Sequence, residues 1–355
     1  MTDAPGELLA VGLFLGLCMA LMLGFPVAFT LAGTSLLFAG LGCLLGHFDL
    51  VLFLSLAPRY FGVMLNETLV AVPLFIFMGF VLERSKIAEE LLRTLGVLFG
   101  PLPGGLGYAV VVVGAMLAAS TGVVGAVVIT MSLISLPTML RAGYEPALAT
   151  GVIGASATLA QLIPPSTVLI FVADILQGVN QTAQLQLGNL APEPVSVGDL
   201  FAGAFLPGLL LVTLFLLWIG WRARTDPASC PPLRLPAAER AAVRRRVVTV
   251  LVSPTLLIVS VLGSILAGIA TATESASLGA VGALLFAAAR RRLSFALLRE
   301  ACSRTALTSA MIFAILLALP CSRWCSAAWA ARRWSRRRCA PCRAAWWVRW
   351  RCSWR

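Results

Sequence analysis

Apolar runs long enough to cross a lipid bilayer recur along this chain. Hydrophobic residues make up 59% of the sequence and charged residues only 12%, which is far from the usage of soluble globular proteins. About 20 helical residues span the roughly 30 Å of hydrocarbon in a bilayer. About nine stretches approach that length, near residues 7–24, 27–46, 69–83, 106–136, 148–173, 203–221, 247–269, 275–289 and 305–319. The chain is therefore predicted to be an all-α polytopic integral membrane protein.

The distribution of basic residues predicts the orientation of these helices. Seven Arg lie between residues 222 and 246, and short cytoplasmic loops are enriched in Lys and Arg. The segment 174–202 is rich in Asn and Gln and has no Lys or Arg, so it is predicted on the opposite face of the membrane. The predicted regions are N-terminal scaffold helices (1–105), a hairpin and broken-helix region (106–173), a polar loop (174–202), a membrane helix (203–221), a basic cytoplasmic linker (222–246), helices of a possible second repeat (247–319) and a tail (320–355).

Small polar residues and a proline pair are concentrated within the apolar segment 118–166. The residues concerned are Ser120, Thr121, Gly122, Ser156, Thr158, Pro164, Pro165 and Ser166. Unpaired backbone groups are costly in hydrocarbon, so such residues at depth indicate broken helices around a wetted or ion-lined cavity. Hydroxyls and unwound carbonyls suit Na⁺, and helix N-termini suit a carboxylate. The alternative is that Ser, Thr and Gly only allow the helices to pack closely.

A second polar break, reading TATES at 271–275, precedes a Gly- and Ala-rich helix, as the polar residues at 120–122 do. The similarity hints at an internal repeat, and inverted repeats around a midplane site build many secondary transporters. Thr273 and Glu274 are therefore candidate ion or substrate ligands, since an ionisable group within a membrane is a functional candidate. The alternative is that Glu274 caps the N-terminus of a helix.

Several function classes are disfavoured. His47 is the one histidine, and no GxxxxGK[ST] phosphate-binding loop is present. A Ser/His/Asp triad, a His-rich metal site and ATP hydrolysis by this chain are not expected, and no cofactor is predicted beyond Na⁺ as a coupling ion. The net charge of +12 suggests nucleic acid, but ten of the Arg lie in residues 320–355 without any Asp or Glu. The remainder is nearly neutral, so no nucleic-acid partner is expected.

The tail at 320–355 has an unusual composition. It holds five of the nine Cys and seven of the nine Trp, and it contains no Gly, Leu, Ile or Phe. These residue types are those that GC-rich DNA encodes out of frame, so a frameshift near Leu319 is predicted. A basic tail on anionic lipid is an alternative, and the lone CxxC at 339–342 makes a metal site a weaker one.

Six strings, taken in order, resemble the large membrane subunit of tripartite ATP-independent periplasmic (TRAP) transporters, the DctM-like permeases. They are GFPVAFT at 24–30, VPLFIFMG at 72–79, ATGVI at 149–153, TLAQLIPPS at 158–166, GAFLPG at 203–208 and GIATATE at 268–274. Each string is weakly specific alone, and the ordered set is strong.

The resemblance implies an elevator-type transporter with re-entrant hairpins in the bacterial inner membrane, driven by a sodium gradient. It would take an organic acid, such as a C4-dicarboxylate, from a periplasmic DctP-like binding protein and work with a small DctQ-like membrane subunit. On that analogy Ser120, Thr121 and Gly122 lie in a hairpin, and Ser156, Thr158, Pro164, Pro165 and Ser166 lie in an unwound segment, where they contact Na⁺ and substrate. Thr273 and Glu274 are assigned with them.

Two departures from the family pattern stand out. Ala272 replaces the proline of a Thr-Pro-Thr-Glu string, and the family continues for about another hundred residues where this chain has its Arg- and Trp-rich tail. This implies a missing or frameshifted C-terminal part, and a chain that does not transport. The alternatives are a stand-alone ion-coupled carboxylate carrier and a membrane-embedded enzyme, for which no catalytic constellation is visible.

Overall fold

The computed structural model describes residues 4–45, 56–85, 87–121, 124–189, 191, 194–233 and 237–328. Helices dominate these residues, and no strand occurs among them. The helices are α1 (Ala4–Met22), α2 (Val27–Leu44), α3 (Leu56–Met64), α4 (Ala71–Arg84), α5 (Ile87–Phe99), α6 (Gly105–Thr121), α7 (Val124–Arg141), α8 (Pro146–Thr158), α9 (Thr167–Gln186), α10 (Val197–Thr225), α11 (Ala237–Leu266), α12 (Ala272–Ala289) and α13 (Phe295–Ala328). Two 3-10 turns, Glu67–Val70 and Leu159–Gln161, precede α4 and follow α8. The prediction of an all-α polytopic membrane protein is confirmed.

Four of the described helices are long and apolar enough to cross a membrane. They are Val27–Leu44, Val197–Thr225, Ala272–Ala289 and Phe295–Leu319, with a fifth span if Leu56–Met64 and Glu67–Arg84 are counted together. Further apolar helices are shorter, among them Gly105–Leu117 and Val127–Arg141. The sequence predicted about nine spans. One of them, 106–136, divides in the structure into the two helices α6 and α7, and hydropathy does not show such a division.

The boundaries of four predicted regions differ from the structure. Residues 174–186 are not loop but the second half of α9, since the Gln, Leu and Ala of this segment are good helix formers. The helix predicted at 203–221 is α10, which begins six residues earlier because Ser196 and Asp199 form a capping box. The predicted linker at 222–246 is helical from Ala237 onward, in an Ala- and Arg-rich stretch. The predicted tail begins within α13, and residues 329–355 lie outside the described residues.

The chain forms two compact units, residues 1–66 with 309–355, and residues 67–308. In the first unit α1 packs on α2 through the Phe38 ring, which lies against Gly12 and Gly16. A Cβ atom at Gly16 would lie 3.0 Å from that ring, so a larger residue there would push the two helices apart. Small residues thus set the spacing of this helix pair.

The second unit contains a close pair formed by α4 and α12. A buried Ala stripe on α12, including Ala276, Ala280 and Ala283, allows this approach. At Gly279 a Cβ atom would lie 2.6 Å from the Met78 sulfur. Small residues of this kind let membrane helices pack backbone to backbone. Beside them, the hydroxyls of Ser264 and Ser275 lie 2.9 Å apart and join α11 to α12.

Ion pairs link α5 to the segment that follows α12. Glu90 accepts hydrogen bonds from Arg290 and Arg292, the latter at 3.2 Å. Arg84 at the end of α4 pairs with Glu300 on α13. These charges are partly exposed, so each pair contributes little to stability.

Candidate functional site

Helices α6 and α7 form a pair, and hydrogen bonds join both outer ends of this pair to the same loop, 226–233. The Gly104 amide, just before α6, donates to the Cys230 carbonyl at 3.0 Å, and the Glu145 amide, just after α7, donates to the Ser229 carbonyl at 3.0 Å. The apolar parts of the two helices, Gly105–Leu117 and Val127–Arg141, are shorter than the helices that are long enough to cross a membrane. Both outer ends of the pair are therefore held by the loop 226–233.

The candidate residues at the joint between α6 and α7 are only partly visible. Ser120 and Thr121 end α6, and α7 resumes at Val124. The side chains of Ser120 and Thr121, and all of Gly122, lie outside the described residues. The backbone places this joint at the far end of the helix pair from the loop 226–233.

The helix is interrupted between α8 and α9, as the sequence predicted. The hydroxyl of Ser156 is buried and donates to the Val152 carbonyl at 2.6 Å. The exposed Thr158 hydroxyl donates to the Ala155 carbonyl at 2.8 Å. Both hydroxyls therefore bond within their own helix, and α8 then tightens into the Leu159–Gln161 turn.

Pro164, Pro165 and Ser166 fill the gap and are buried. Proline has no amide hydrogen, so Pro164 cannot supply the helical hydrogen bond to the carbonyl of Ala160. Ser166 has extended backbone dihedral angles of −114° and 135° and precedes α9 without a side-chain cap. Its hydroxyl lies 3.4 Å from the Gln161 side-chain oxygen instead. Ser166 is thus buried at the start of α9 and does not cap this helix with its side chain.

Two glycines bring other helices against this break. A Cβ atom at Gly114 of α6 would lie 2.7 Å from the Ser156 Cβ. A Cβ atom at Gly208 of α10 would lie 3.2 Å from the Ile163 side chain and 3.6 Å from the Leu162 carbonyl oxygen. Gly208 lies well inside the 29-residue α10, so the break lies beside the interior of an apolar helix. Neither glycine was predicted from the sequence as a site residue, and the signal for each is a small residue within an apolar helix.

Thr273 and Glu274 lie elsewhere in the same unit. The Thr273 hydroxyl donates to the Glu67 carbonyl at 3.0 Å. The Glu274 carboxylate accepts from the Thr271 amide at 2.7 Å, which completes a capping box at the start of α12. No described hydrogen bond or ion pair joins these two residues to Ser156, Thr158 or Ser166. The geometry of Glu274 is that of a helix cap.

Two titratable side chains, Tyr144 and Cys230, are buried at the outer end of the α6–α7 pair, near the loop 226–233. Burial raises the pKa of Tyr144 to about 12, and it also raises the pKa of the Cys230 thiol.

Among the residues that the structure describes, no group of three or more His, Cys, Asp or Glu side chains could hold a metal ion. An ion at the break would have carbonyl and hydroxyl oxygens as its ligands.

Helices that break beside the interior of other helices, in a polytopic protein rich in small residues, are typical of secondary transporters. The family model of the tripartite ATP-independent periplasmic transporter, DctM component, matches residues 14–328. The chain belongs to this family of transporter permeases. The predicted resemblance is confirmed, and so is the prediction that the chain is not an enzyme.

Relatives give the same family. The chain is 33% identical over 270 residues to the C4-dicarboxylate TRAP transporter large permease protein DctM of Rhodobacter capsulatus, covering 75% of this chain and 58% of the relative. It is 32% identical over 280 residues to the protein of that name from Vibrio cholerae, covering 77% and 54%. Identity is 27% over 318 residues to the ectoine/5-hydroxyectoine TRAP transporter large permease protein UehC of Ruegeria pomeroyi, covering 89% and 68%. The chain spans about half the length of the first two relatives.

Proposed function

We propose that this chain forms part of the membrane pathway of a sodium-gradient-driven importer of organic acids in a bacterial inner membrane. A small membrane subunit and a periplasmic binding protein that delivers the acid would be its partners. Family membership supports this assignment, and so do the relatives named for C4-dicarboxylates and for 2,3-diketo-L-gulonate. An elevator motion of the helices around the break is part of the proposal.

The break between α8 and α9 carries the proposal. Na⁺ is a hard cation that binds several oxygens, and unwound carbonyls provide them without burying a full negative charge. Pro164 withholds the amide that the Ala160 carbonyl would bond in a continuous helix. We assign Na⁺ to the carbonyls of this turn, and we assign Ser120, Thr121 and Gly122 to the same site on the family resemblance.

The start of α9 is the assigned position for the acid. A helix N-terminus offers free amides and a partial positive charge to a carboxylate. Ser166 does not cap this one, and the segment is buried beside α10. A carboxylate placed there would be shielded from water, which strengthens its hydrogen bonds. Thr273 and Glu274 are assigned a supporting role at the start of α12.

Ion binding is the first test, because it requires only this chain. The chain is placed in lipid nanodiscs, and its thermal unfolding is followed in NaCl and in choline chloride at equal ionic strength. We expect saturable stabilisation by Na⁺, worth about 2.7 kcal/mol when Na⁺ is about 100 times its dissociation constant. Equal stabilisation by choline chloride would contradict the assignment.

Delivery of substrate is tested next, by uptake into proteoliposomes. The chain is reconstituted with the small subunit, and labelled succinate is added with and without the binding protein. Uptake that requires an inward Na⁺ gradient and the binding protein would support the whole proposal, and it would overturn the prediction that this chain does not transport. Uptake without the binding protein would instead favour a stand-alone carboxylate carrier.

A further inference from the structure

A separate groove opens between α6, α8 and α10, on the side of α8 near the loop 226–233. Its volume is about 540 Å³, which lies in the range of small-molecule pockets. The walls are apolar and include Leu148, Val152 and Phe215. Gly151 also lines the groove, and the space that a side chain would occupy at this position is open. The groove is therefore shaped for a hydrocarbon chain.

One end of the groove is charged. Arg222 on α10 lies 3.5 Å from the Glu145 carboxylate and 3.3 Å from the Asp226 carboxylate. All three side chains are about one-third to one-half exposed. Exposed pairs at these distances contribute little, so both carboxylates and the guanidinium remain able to bind another charged group.

The groove runs from this charged end into the apolar body of the unit. It extends along α8 from Glu145 to Ala155, ten residues or about 15 Å of helix. Trp218 lines it near the charged end, and its ring lies 5.1 Å from that of Trp221, both being half exposed. Tryptophan is enriched where a membrane meets water. The charged end thus has the character of a headgroup region, and the remainder that of the acyl region.

We propose that this groove binds one glycerophospholipid that carries a primary-amine headgroup. An acyl chain lies along Leu148, Val152 and Phe215, and the lipid phosphate binds Arg222. The ammonium donates hydrogen bonds to Glu145 and Asp226. One cation beside two carboxylates matches a headgroup with one negative and one positive charge, whereas a purely anionic headgroup would meet two like charges. A quaternary ammonium lacks the N–H donors that the carboxylates require.

The test compares headgroups and matched variants by native mass spectrometry. The purified chain is incubated with phosphatidylethanolamine, phosphatidylcholine or phosphatidylglycerol of identical acyl chains, and retained lipid is counted. Arg222→Gln removes the phosphate partner, and Gly151→Leu fills the groove. The controls are Arg224→Gln, two residues along α10 and outside the groove, and Gly154→Leu on α8, which also has open space but does not line it.

We expect one retained phosphatidylethanolamine in the wild-type chain, about tenfold weaker retention in Arg222→Gln, and unchanged retention in both controls. Gly151→Leu should lose the lipid without a loss of thermal stability in detergent. Equal retention of the three lipids, or equal loss in the controls, would overturn the proposal. So would displacement of the lipid when the small subunit is added, because the groove would then be a protein interface. None of these outcomes depends on Na⁺ binding or transport.

Discussion

Two helices begin after a polar break: α9 after Ser166 and α12 after Thr271. The N-termini of these helices are capped in different ways. At Thr271 the hydroxyl accepts from the Glu274 amide at 3.3 Å, and the Glu274 carboxylate accepts from the Thr271 amide at 2.7 Å. At the start of α9 the Ser166 side chain makes no capping hydrogen bond, and the residue is fully buried. The start of α12 is thus closed by a reciprocal pair of local hydrogen bonds, and the start of α9 has no such reciprocal pair with Ser166. Two polar breaks in the sequence thus lead to a capping box in one place and to a buried serine that does not cap its helix in the other.

The largest expected effect comes from Gly114, which sets the distance between α6 and the break. Gly114→Ala would place a methyl group 2.7 Å from the Ser156 Cβ. Overpacking of this kind costs about 1–3 kcal/mol, measurable as a lower unfolding temperature in nanodiscs, together with weaker stabilisation by Na⁺. Gly154→Ala on α8 meets open space and serves as the control. Equal stability of the two variants would show that the break does not depend on this contact.

The proline pair gives the next largest effect. The double substitution Pro164→Ala with Pro165→Ala returns two amides that can bond the carbonyls in the turn. We expect it to abolish the Na⁺-dependent stabilisation, about 2.7 kcal/mol at high Na⁺. Pro137→Ala, in the exposed interior of α7, should keep the full Na⁺ effect. A double variant that still responds to Na⁺ would remove the break from the ion site.

Substitutions at the starts of α9 and α12 test the comparison directly. Thr271→Ala removes a cap and should cost about 1 kcal/mol of stability without changing the response to Na⁺. Ser166→Ala should cost less, because its hydroxyl makes one long contact.

Glu274→Gln separates the capping role from a charge-dependent role. Glutamine also completes a capping box, so stability and the Na⁺ response should both persist. Loss of the Na⁺ response in Glu274→Gln, with stability retained, would instead assign this carboxylate to the ion site.

The smallest effect at neutral pH concerns Tyr144, at the outer end of the hairpin. Its pKa is raised from 10.0 to about 12 by burial. Its contribution to stability is fully present below pH 10 and is lost as the pH rises through about 12. An alkaline absorbance titration of the folded chain should show a late tyrosinate step that disappears in Tyr144→Phe. A late step that survives the substitution would contradict the assignment.

Parts of the fold and site could be predicted from the sequence, and other parts could not. The break at 159–166 was predictable because proline lacks an amide wherever it lies. The start of α10 was misplaced because Ser196 and Asp199 form a local cap that hydropathy does not detect. For Glu274 the sequence left a ligand role and a capping role open, since it does not show whether a nearby residue will bond the carboxylate; the structure shows the capping box.

The sequence alone determined that this protein is a polytopic helical membrane protein of the DctM family with a helix break at the proline pair. Apolar composition and the chemistry of proline are local properties, and they act in any context. Only the tertiary structure decided that α6 and α7 share one loop, that Gly114 and Gly208 bring two helices against the break, and that Arg222 meets Glu145 across 77 residues of chain. These contacts depend on how helices pack at close range, and packing joins residues whose proximity no local pattern records.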